Sequence, residues 1–342
     1  MSITVEAKIY QTLVENEGEM TALQLSELPG VGGRTYVSRL LKKMIEQKKV
    51  YSRKEGRNVF YRAVAGVAID ENFATKDLHE EEIWEKAYRN KEFFRPVSEQ
   101  ARDILAFSSL EMINNAIDHS KSGTVEVKIF RELGFLKFVV RDFGVGIFNN
   151  IMTRNDFGDE YEALRWLLKG KNTTDRERHS GEGIFWTSKI ADKMIISSGK
   201  FRLTFDNLVG KCAVEEIDEN VLGTEIYFEL QEDSKKSMSE LFHSYSFDDE
   251  KLTLDVTRIP VGVYESGGVW VSRYQARRVL DGLDKFKKVV FDFKGVKIIG
   301  QGFADEIFRV WQMQHPEVIL EYENANETIS LLIERAKNDR PD

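Results

Sequence analysis

Two residues with metal-binding and proton-accepting chemistry stand one helical turn apart in the run LEMINNAIDHS. A helix would place Glu111 and Asn115 on one face, together with His119. The amide oxygen of Asn115 suits Mg²⁺, which keeps several waters and binds substrate phosphates. The Glu111 carboxylate can take the proton of a water or hydroxyl that attacks a γ-phosphate. Polar pairs at this spacing are also common on exposed helices, so further motifs must decide.

Three later segments contain glycine in patterns that suit close approach of a ligand to the backbone. In RDFGVGIF, the carboxylate of Asp142 precedes Gly144 and Gly146 and can accept a hydrogen bond from an amino group such as adenine N6. The segment KGKNTTDRERHSGEGIF runs into a helix expected over 183–191, whose first N–H groups form an anion site. Thr224 follows Gly223 at the start of the strand EIYFEL, where its hydroxyl is expected to support Asp142. Candidate phosphate contacts in the second segment are Lys169, Lys171, Thr173 and Thr174.

Hydrophobic patterning predicts the elements that position these residues. The runs VEVKIF and FLKFVVRD alternate like antiparallel strands with one covered face. Leu110, Ile113 and Ile117 are expected to form the apolar stripe of the helix that carries Glu111. A linker is expected over 231–240, and residues 250–340 are expected to run strand, strand, helix, strand, helix, strand, helix. The pattern predicts an α/β multidomain protein.

The first 65 residues combine three predicted helices with a basic hairpin. The helices are expected over 5–15, 21–28 (with Thr21 as N-cap) and 36–47, and the hairpin turns at Glu55-Gly56. Residues 31–62 hold ten basic and two acidic side chains, a net +8 within a chain of net charge −8. A local basic patch on an acidic protein favours nucleic-acid binding.

This N-terminal segment resembles a winged helix-turn-helix. The resemblance implies contacts with DNA phosphates first and bases second. A use in protein contacts or dimerisation stays open. The implied DNA-binding residues are Arg34, Tyr36, Arg39, Lys42, Lys43, Arg53, Lys54 and Arg57.

Across 101–232, the order Glu-x3-Asn, Asp-x-Gly-x-Gly, Gly-x-Gly, Gly-Thr resembles the GHKL superfamily of gyrase B subunits, MutL-type repair proteins, heat-shock chaperones and sensor histidine kinases. The resemblance implies a Bergerat-type α/β sandwich that binds ATP and Mg²⁺ under a mobile lid at about 155–180. It implies that Asn115 binds Mg²⁺, that Asp142 binds adenine and that Glu111 is the catalytic base. The glycines implied to shape the pocket are Gly144, Gly146, Gly181 and Gly183.

The familiar phosphoacceptors of this superfamily's pathways are missing. His79-Glu80, a His-acid pair upstream, lies too close to Glu111 for the dimerising hairpin of a histidine kinase. The stretches VSRYQARRVL and FKKVVFDFKGVKIIGQGFADEIF resemble a STAS-like domain, the fold of anti-sigma-factor antagonists. Those antagonists carry a phosphoacceptor serine after the second strand, where this chain has the run 299–302, IGQG. The domain is therefore expected to mediate protein interaction or self-association.

Composition narrows the remaining classes. No run approaches the roughly 18 apolar residues of a membrane span, the N-terminus lacks a signal-peptide pattern, and Cys212 is the one cysteine. We expect a cytoplasmic protein of four segments: a winged helix (1–65), a connecting helical segment (66–100), an ATP-binding domain (101–232) and a STAS-like domain (245–342).

The leading hypothesis is an ATP-binding regulator or switch, a slow Mg²⁺-dependent ATPase that couples nucleotide state to DNA or protein binding. Two alternatives stay open. One is a serine/threonine protein kinase of the anti-sigma-factor type. The other is a non-catalytic ATP sensor in a bacterial defence or stress system.

Overall fold

The structure is a computed structural model of the 342-residue chain, and the chain divides into two compact units. The first unit comprises Met1–Asp118, Ser122–Asp142 and Glu225–Lys235, and the second comprises His119–Lys121, Phe143–Thr224 and Lys236–Asp342. Helices and several sheets make it a mixed α/β protein, as predicted, whereas the predicted domain boundaries stay a prediction. The structure describes residues 4–15, 19–46, 49–63, 65–95, 97–132, 134–170, 182–248, 252–264 and 269–339.

The N-terminal part of the first unit contains the predicted three helices and hairpin. A two-stranded hairpin is extended by a short strand that was not predicted, giving the sheet order β1-β3-β2. The elements are α1 (Val5–Glu15), β1 (Met20–Thr21), α2 (Ala22–Ser26), α3 (Arg34–Glu46), β2 (Val50–Glu55) and β3 (Asn58–Ala63).

Local sequence signals explain these elements. Thr21 caps α2 through a capping box: its Oγ1 accepts from the Gln24 N–H at 3.3 Å, and Gln24 Oε1 accepts from the Thr21 N–H at 2.8 Å. Both predictions, the helix and its N-cap, are confirmed. The helices bury one face each in a shared core, to which they contribute Ile9, Leu13, Leu25, Val37, Leu41 and Met44.

The rest of the first unit alternates strands and helices. The elements are β4 (Ala65–Ala74), α4 (Glu80–Tyr88), α5 (Lys91–Phe94), α6 (Glu99–His119), β5 (Thr124–Glu132) and β6 (Phe135–Asp142). The prediction of a helical connection over 66–100 is wrong at its start, because β4 pairs antiparallel with β5. Only Ile69 is buried among its described side chains, so this edge strand has almost no hydrophobic pattern to read.

Helix α6 was predicted, but its buried face was only partly predicted. Ile113 is buried as expected, whereas Leu110 and Ile117 are half-buried. Small residues take their place, because Ser108 and Ser109 are fully buried. A buried face that contains serines does not read as an apolar stripe, which explains the error.

The second unit begins with helices that follow β6 and continues into two long strands. The elements are α7 (Ile147–Asn155), α8 (Glu160–Lys169), α9 (Gly183–Ile190), β7 (Lys193–Asp206), β8 (Lys211–Gln231) and α10 (Met238–Ser244). The last part of β8, from Glu225, belongs to the first unit and pairs antiparallel with β6. The predicted linker over 231–240 is partly wrong, because α10 starts inside it with Ser237 as its N-cap.

The C-terminal part of the second unit follows the predicted order, with one additional short strand. Three parallel strands form a sheet in the order β13-β11-β9, and β10 pairs in parallel with β12. Val289 and Phe291 are fully buried, as expected of a central strand. The elements are β9 (Val256–Pro260), a 3-10 turn (Val261–Tyr264), β10 (Val269–Trp270), α11 (Arg273–Leu280), β11 (Lys288–Asp292), β12 (Ile298–Ile299), α12 (Gln301–Asp305), a π-helical segment (Glu306–Trp311), α13 (Gln312–Gln314), β13 (Ile319–Glu323) and α14 (Glu327–Asn338).

None of the helices in the described ranges combines the length and the apolar character that crossing a bilayer requires.

Candidate functional site

The candidate metal ligand, base and adenine-binding residue all lie in the first unit. Glu111 and Asn115 are one turn apart on α6 and both are half-buried. Asp142 is the last residue of β6 and is only 4% exposed. Burying a carboxylate this deeply is costly unless hydrogen-bond donors surround it. Asp142 therefore ends its strand as a buried acidic residue.

The turn after β6 has room for glycine alone. Gly146 precedes α7 with φ +77°, and a Cβ there would lie 2.6 Å from Ser198 Oγ and 3.2 Å from the Gly223 oxygen. The first N–H of α7, on Ile147, donates to Thr224 Oγ1 at 2.9 Å. Thr224 thus satisfies a donor that the helix start leaves open, and it holds the Gly146 turn against β8.

Sequence reasoning missed Ser198, which completes this turn. The Ser198 hydroxyl is buried and donates to the Gly223 oxygen at 2.7 Å. The available signal was a pair of serines in the otherwise apolar strand segment MIISSG. Buried hydroxyls in such a strand require hydrogen-bond partners, so the pair could have pointed to a turn packed beside it.

The glycine-rich segment before α9 is only partly described. Gly183 is the buried first residue of α9, whose eight residues start after the N-cap Glu182. The helix therefore begins at residue 183, where the sequence predicts it, and its first N–H groups have no partner within the helix. The predicted site residues Lys171, Thr173, Thr174 and Gly181, and with them His179, lie outside the described residues.

Lys169, the phosphate contact suggested beside them, is engaged elsewhere. It ends α8 and is 3% exposed. Its Nζ donates to the backbone carbonyl oxygen of Asp281 at 2.6 Å and lies 3.4 Å from the backbone carbonyl oxygen of Arg278, and both carbonyls are at the end of α11. A cation at a helix C-terminus is favourable, yet burial lowers the pKa of Lys169 to about 8. The expectation for this residue is wrong, because its amine neutralises a helix end inside the protein.

The predicted DNA-binding residues lie on the solvent side of the N-terminal helices and hairpin. On α3 the apolar residues Val37, Leu41 and Met44 face the core. The exposed members of the predicted set are Arg34, Tyr36, Arg39, Lys42, Lys43, Arg53, Lys54 and Arg57. This separation is what a helix that presents cations to a phosphate backbone requires.

Two of these exposed cations, Lys43 and Arg53, form ion pairs with carboxylates of the same chain. Lys43 Nζ lies 2.9 Å from Glu6 Oε2, and this hydrogen bond, with another from Lys49, lowers the pKa of Glu6. Arg53 pairs with Glu19 at 2.9 Å and lowers the pKa of that carboxyl. Within the described residues, the predicted cations without such a carboxylate are Arg34, Arg39, Lys42, Lys54 and Arg57.

Comparison with known families adds one assignment, on the C-terminal part of the second unit. A family model aligns from within α11, through β11, β12 and β13, to the first turn of α14, and β9 lies outside the match. Residues 275–330 match a STAS-like domain of unknown function (DUF4325). No curated protein matches the chain. The STAS-like domain that the sequence predicts is therefore present.

Within the run 299–302 of this STAS-like domain, Gly300 has no room for a side chain. Gly300 follows β12 as the N-cap of α12, and its N–H donates to the Trp270 oxygen. A Cβ on Gly300 would lie 2.7 Å from both the Cα and the oxygen of Val271. Because backbone atoms of Val271, the residue after β10, occupy that space, a side chain at Gly300 would require them to move.

Proposed function

We propose that the chain is an ATP-binding regulator of the GHKL type, a slow Mg²⁺-dependent ATPase that couples nucleotide state to DNA or protein binding. The observation that carries the proposal is the turn after β6. There the buried Asp142 is followed by Gly146, which tolerates no side chain, and the turn is held by the Thr224 hydroxyl. This combination of a buried carboxylate and a bare backbone suits an amino-bearing base that approaches closely.

The donor set on α6 fits the metal that this function needs. Asn115 offers a neutral, hard oxygen that suits Mg²⁺, and Glu111, one turn earlier, is placed to accept a proton. When Mg²⁺ is bound, it neutralises charge on the ATP phosphates. In the proposed step water attacks the γ-phosphorus, Glu111 accepts the water's proton, and ADP and inorganic phosphate leave.

The first test separates binding from turnover. We expect Asp142→Asn to weaken Mg²⁺-ATP binding about 10–100-fold, because a hydrogen bond to a charged group contributes about 1.5–3 kcal/mol. Glu111→Ala should keep binding but slow phosphate release about 10²–10⁴-fold. Calorimetric titration and a phosphate-release assay measure the two effects. Asp103→Asn, which changes an exposed carboxylate on the same helix α6, is the matched control.

Two results together would refute the assignment. One is unchanged turnover in Glu111→Ala, and the other is unchanged ATP binding in Asn115→Ala. The kinase alternative is tested with γ-labelled ATP and candidate partners, since label on a protein favours transfer and free phosphate favours hydrolysis. The run 299–302 contains no hydroxyl side chain, and this disfavours transfer to the chain's own STAS-like domain by the antagonists' route.

We further propose that the N-terminal helices and hairpin bind DNA. Exposed cations that engage no carboxylate within the described residues support this part. Binding should weaken steeply with salt, and Arg39→Ala with Lys42→Ala should reduce the salt slope by about two, one for each lost phosphate contact. Fluorescence anisotropy with duplex DNA at several salt concentrations measures the slope. Lys76→Ala, an exposed lysine outside 31–62, is the control, and salt-independent binding would count against the proposal.

A further inference from the structure

The second unit contains a cavity that the proposed function does not use. Its volume is about 460 Å³, within the range of small-molecule sites. Its lining comes from α8, α9 and the β7–β8 hairpin, and from β9, β11, the turns that follow these two strands, and the end of β13. The candidate nucleotide residues Glu111, Asn115, Asp142 and Gly146 are not among the described residues that line it.

One part of the cavity wall is apolar and closely packed. Leu168, Phe185, Phe205 and Val263 line it, and all four are buried. The Phe185 ring packs edge-on against Trp186 and Tyr245, with centroid distances of 5.1 and 5.3 Å. A wall held by such contacts is preformed, so an apolar ligand body would gain burial without ordering the protein.

The charged part of the wall carries a net positive charge. Four lining residues are basic (Lys189, Lys211, Arg258 and Lys294) and two are acidic (Asp292 and Glu323), a difference of +2. The acidic groups are engaged by protein donors. Glu323 pairs with Arg258 at 2.7 Å, and Asp292 Oδ1 accepts from the Lys294 N–H at 2.9 Å.

The remaining cations differ in how they are engaged. Lys294 Nζ donates to the Val209 oxygen at 2.6 Å. Lys189 and Lys211 have no carboxylate partner among the described residues. Cys212, also in the lining, adds no charge to offset them, because burial raises the pKa of its thiol to about 12. The two carboxylates of the lining are bonded to Arg258 and to the Lys294 N–H, and no ion pair joins either of them to Lys189 or Lys211 within the described residues.

We propose that this cavity binds a small organic anion, with its acidic group at Lys189 and Lys211 and its apolar body against Phe185, Phe205 and Val263. The shared chemistry is a carboxylate or phosphate attached to an aromatic or alkyl body. None of the described candidate nucleotide residues lines this cavity, and the proposal does not rest on the proposed function. It joins the STAS-like segment to the segment that contains α9, so an occupant would contact both.

The test titrates the full chain with 8-anilinonaphthalene-1-sulfonate, a fluorescent aromatic anion. We expect saturable binding of one probe per chain that excess Mg²⁺-ATP does not displace. The double variant Lys189→Glu, Lys211→Glu should lower the affinity about tenfold or more, because it replaces two attractive charges by two repulsive ones. The matched control, Lys297→Glu, changes an exposed lysine outside the lining and should bind as the wild type does.

Competition identifies the acidic group. 1-Naphthyl phosphate and 1-naphthoate should both displace the probe, and the one that competes more strongly shows whether the site prefers a phosphate or a carboxylate. The uncharged 1-naphthol should compete about tenfold more weakly. Circular dichroism of each variant confirms folding, and Lys189→Gln provides a milder second variant. The proposal is overturned if the probe shows no saturable binding, or if it binds the double variant and Lys297→Glu with equal affinity. It is also overturned if Asp142→Asn no longer binds the probe.

Discussion

Gly170→Ala is expected to lower the free energy of unfolding by about 3–5 kcal/mol. Gly170 follows α8 with φ +73° and ψ 179°, a conformation that residues with a Cβ rarely adopt. A Cβ would also lie 2.5 Å from Phe185 Cδ2. The Phe185 ring cannot easily move away, because Trp186 and Tyr245 pack against it. The two penalties, backbone strain and steric overlap, therefore add.

Gly282 provides a comparison in which the backbone penalty is present and the steric overlap is absent. Gly282 has φ +67° and no heavy atom within 4 Å of its potential Cβ. Gly282→Ala should therefore cost only the backbone term, about 1–2 kcal/mol. Urea unfolding of the full chain, followed by tryptophan fluorescence, measures both. Equal losses in the two variants would show that the Phe185 contact adds nothing.

The buried Lys169 is expected to make stability rise with pH in the alkaline range. Burial lowers the pKa of this amine from 10.5 to about 8 in the folded protein. Below pH 8 both states hold the proton, and the cost of burying the charge is fully present. Between about pH 8 and 10.5 the unfolded state binds more protons, so stability increases with pH. From pH 7 to pH 10 the gain is about 2–3 kcal/mol.

Comparison with a variant isolates this contribution from other titrating groups. The difference in unfolding free energy between the wild type and Lys169→Met should rise by that amount over the same pH range. Lys297→Met, which removes an exposed ammonium, should give a difference that stays level. A level difference for Lys169→Met as well would mean that the Lys169 amine stays charged in the folded protein.

Elements that depend on nearby residues were predicted from the sequence, whereas elements that depend on partners far along the chain were not. Helix α3 and strands β5 and β6 were predicted, because their apolar residues recur at the period of the element. The edge strand β4 was missed, because its pairing with β5 does not depend on an apolar pattern of its own. Its bonding partner is far along the chain, and no local signal records that partner.

The candidate site divides in the same way. The N-terminal start of α9 and the glycine at 146 follow from local backbone chemistry and were predicted. Lys169 was assigned to phosphates because it precedes a Lys- and Thr-rich loop, whereas its carbonyl partners lie 109 and 112 residues away. Ser198 was missed for the same reason, since its partner Gly223 is 25 residues away.

The end of α9 has a consequence for making fragments of this protein. Its last carbonyls are held by Asn207 Nδ2, which donates to the Ser188 and Ala191 oxygens at 2.8 Å. Lys236 Nζ donates to the Ile190 and Ala191 oxygens at 2.9 and 3.0 Å and to Asp192 at 2.7 Å. An expression fragment that stops at residue 232 would delete the Lys236 donor and leave this helix end partly unsatisfied. A truncation that keeps α9 intact must therefore include Lys236, four residues beyond residue 232, where the sequence predicts that the ATP-binding domain ends.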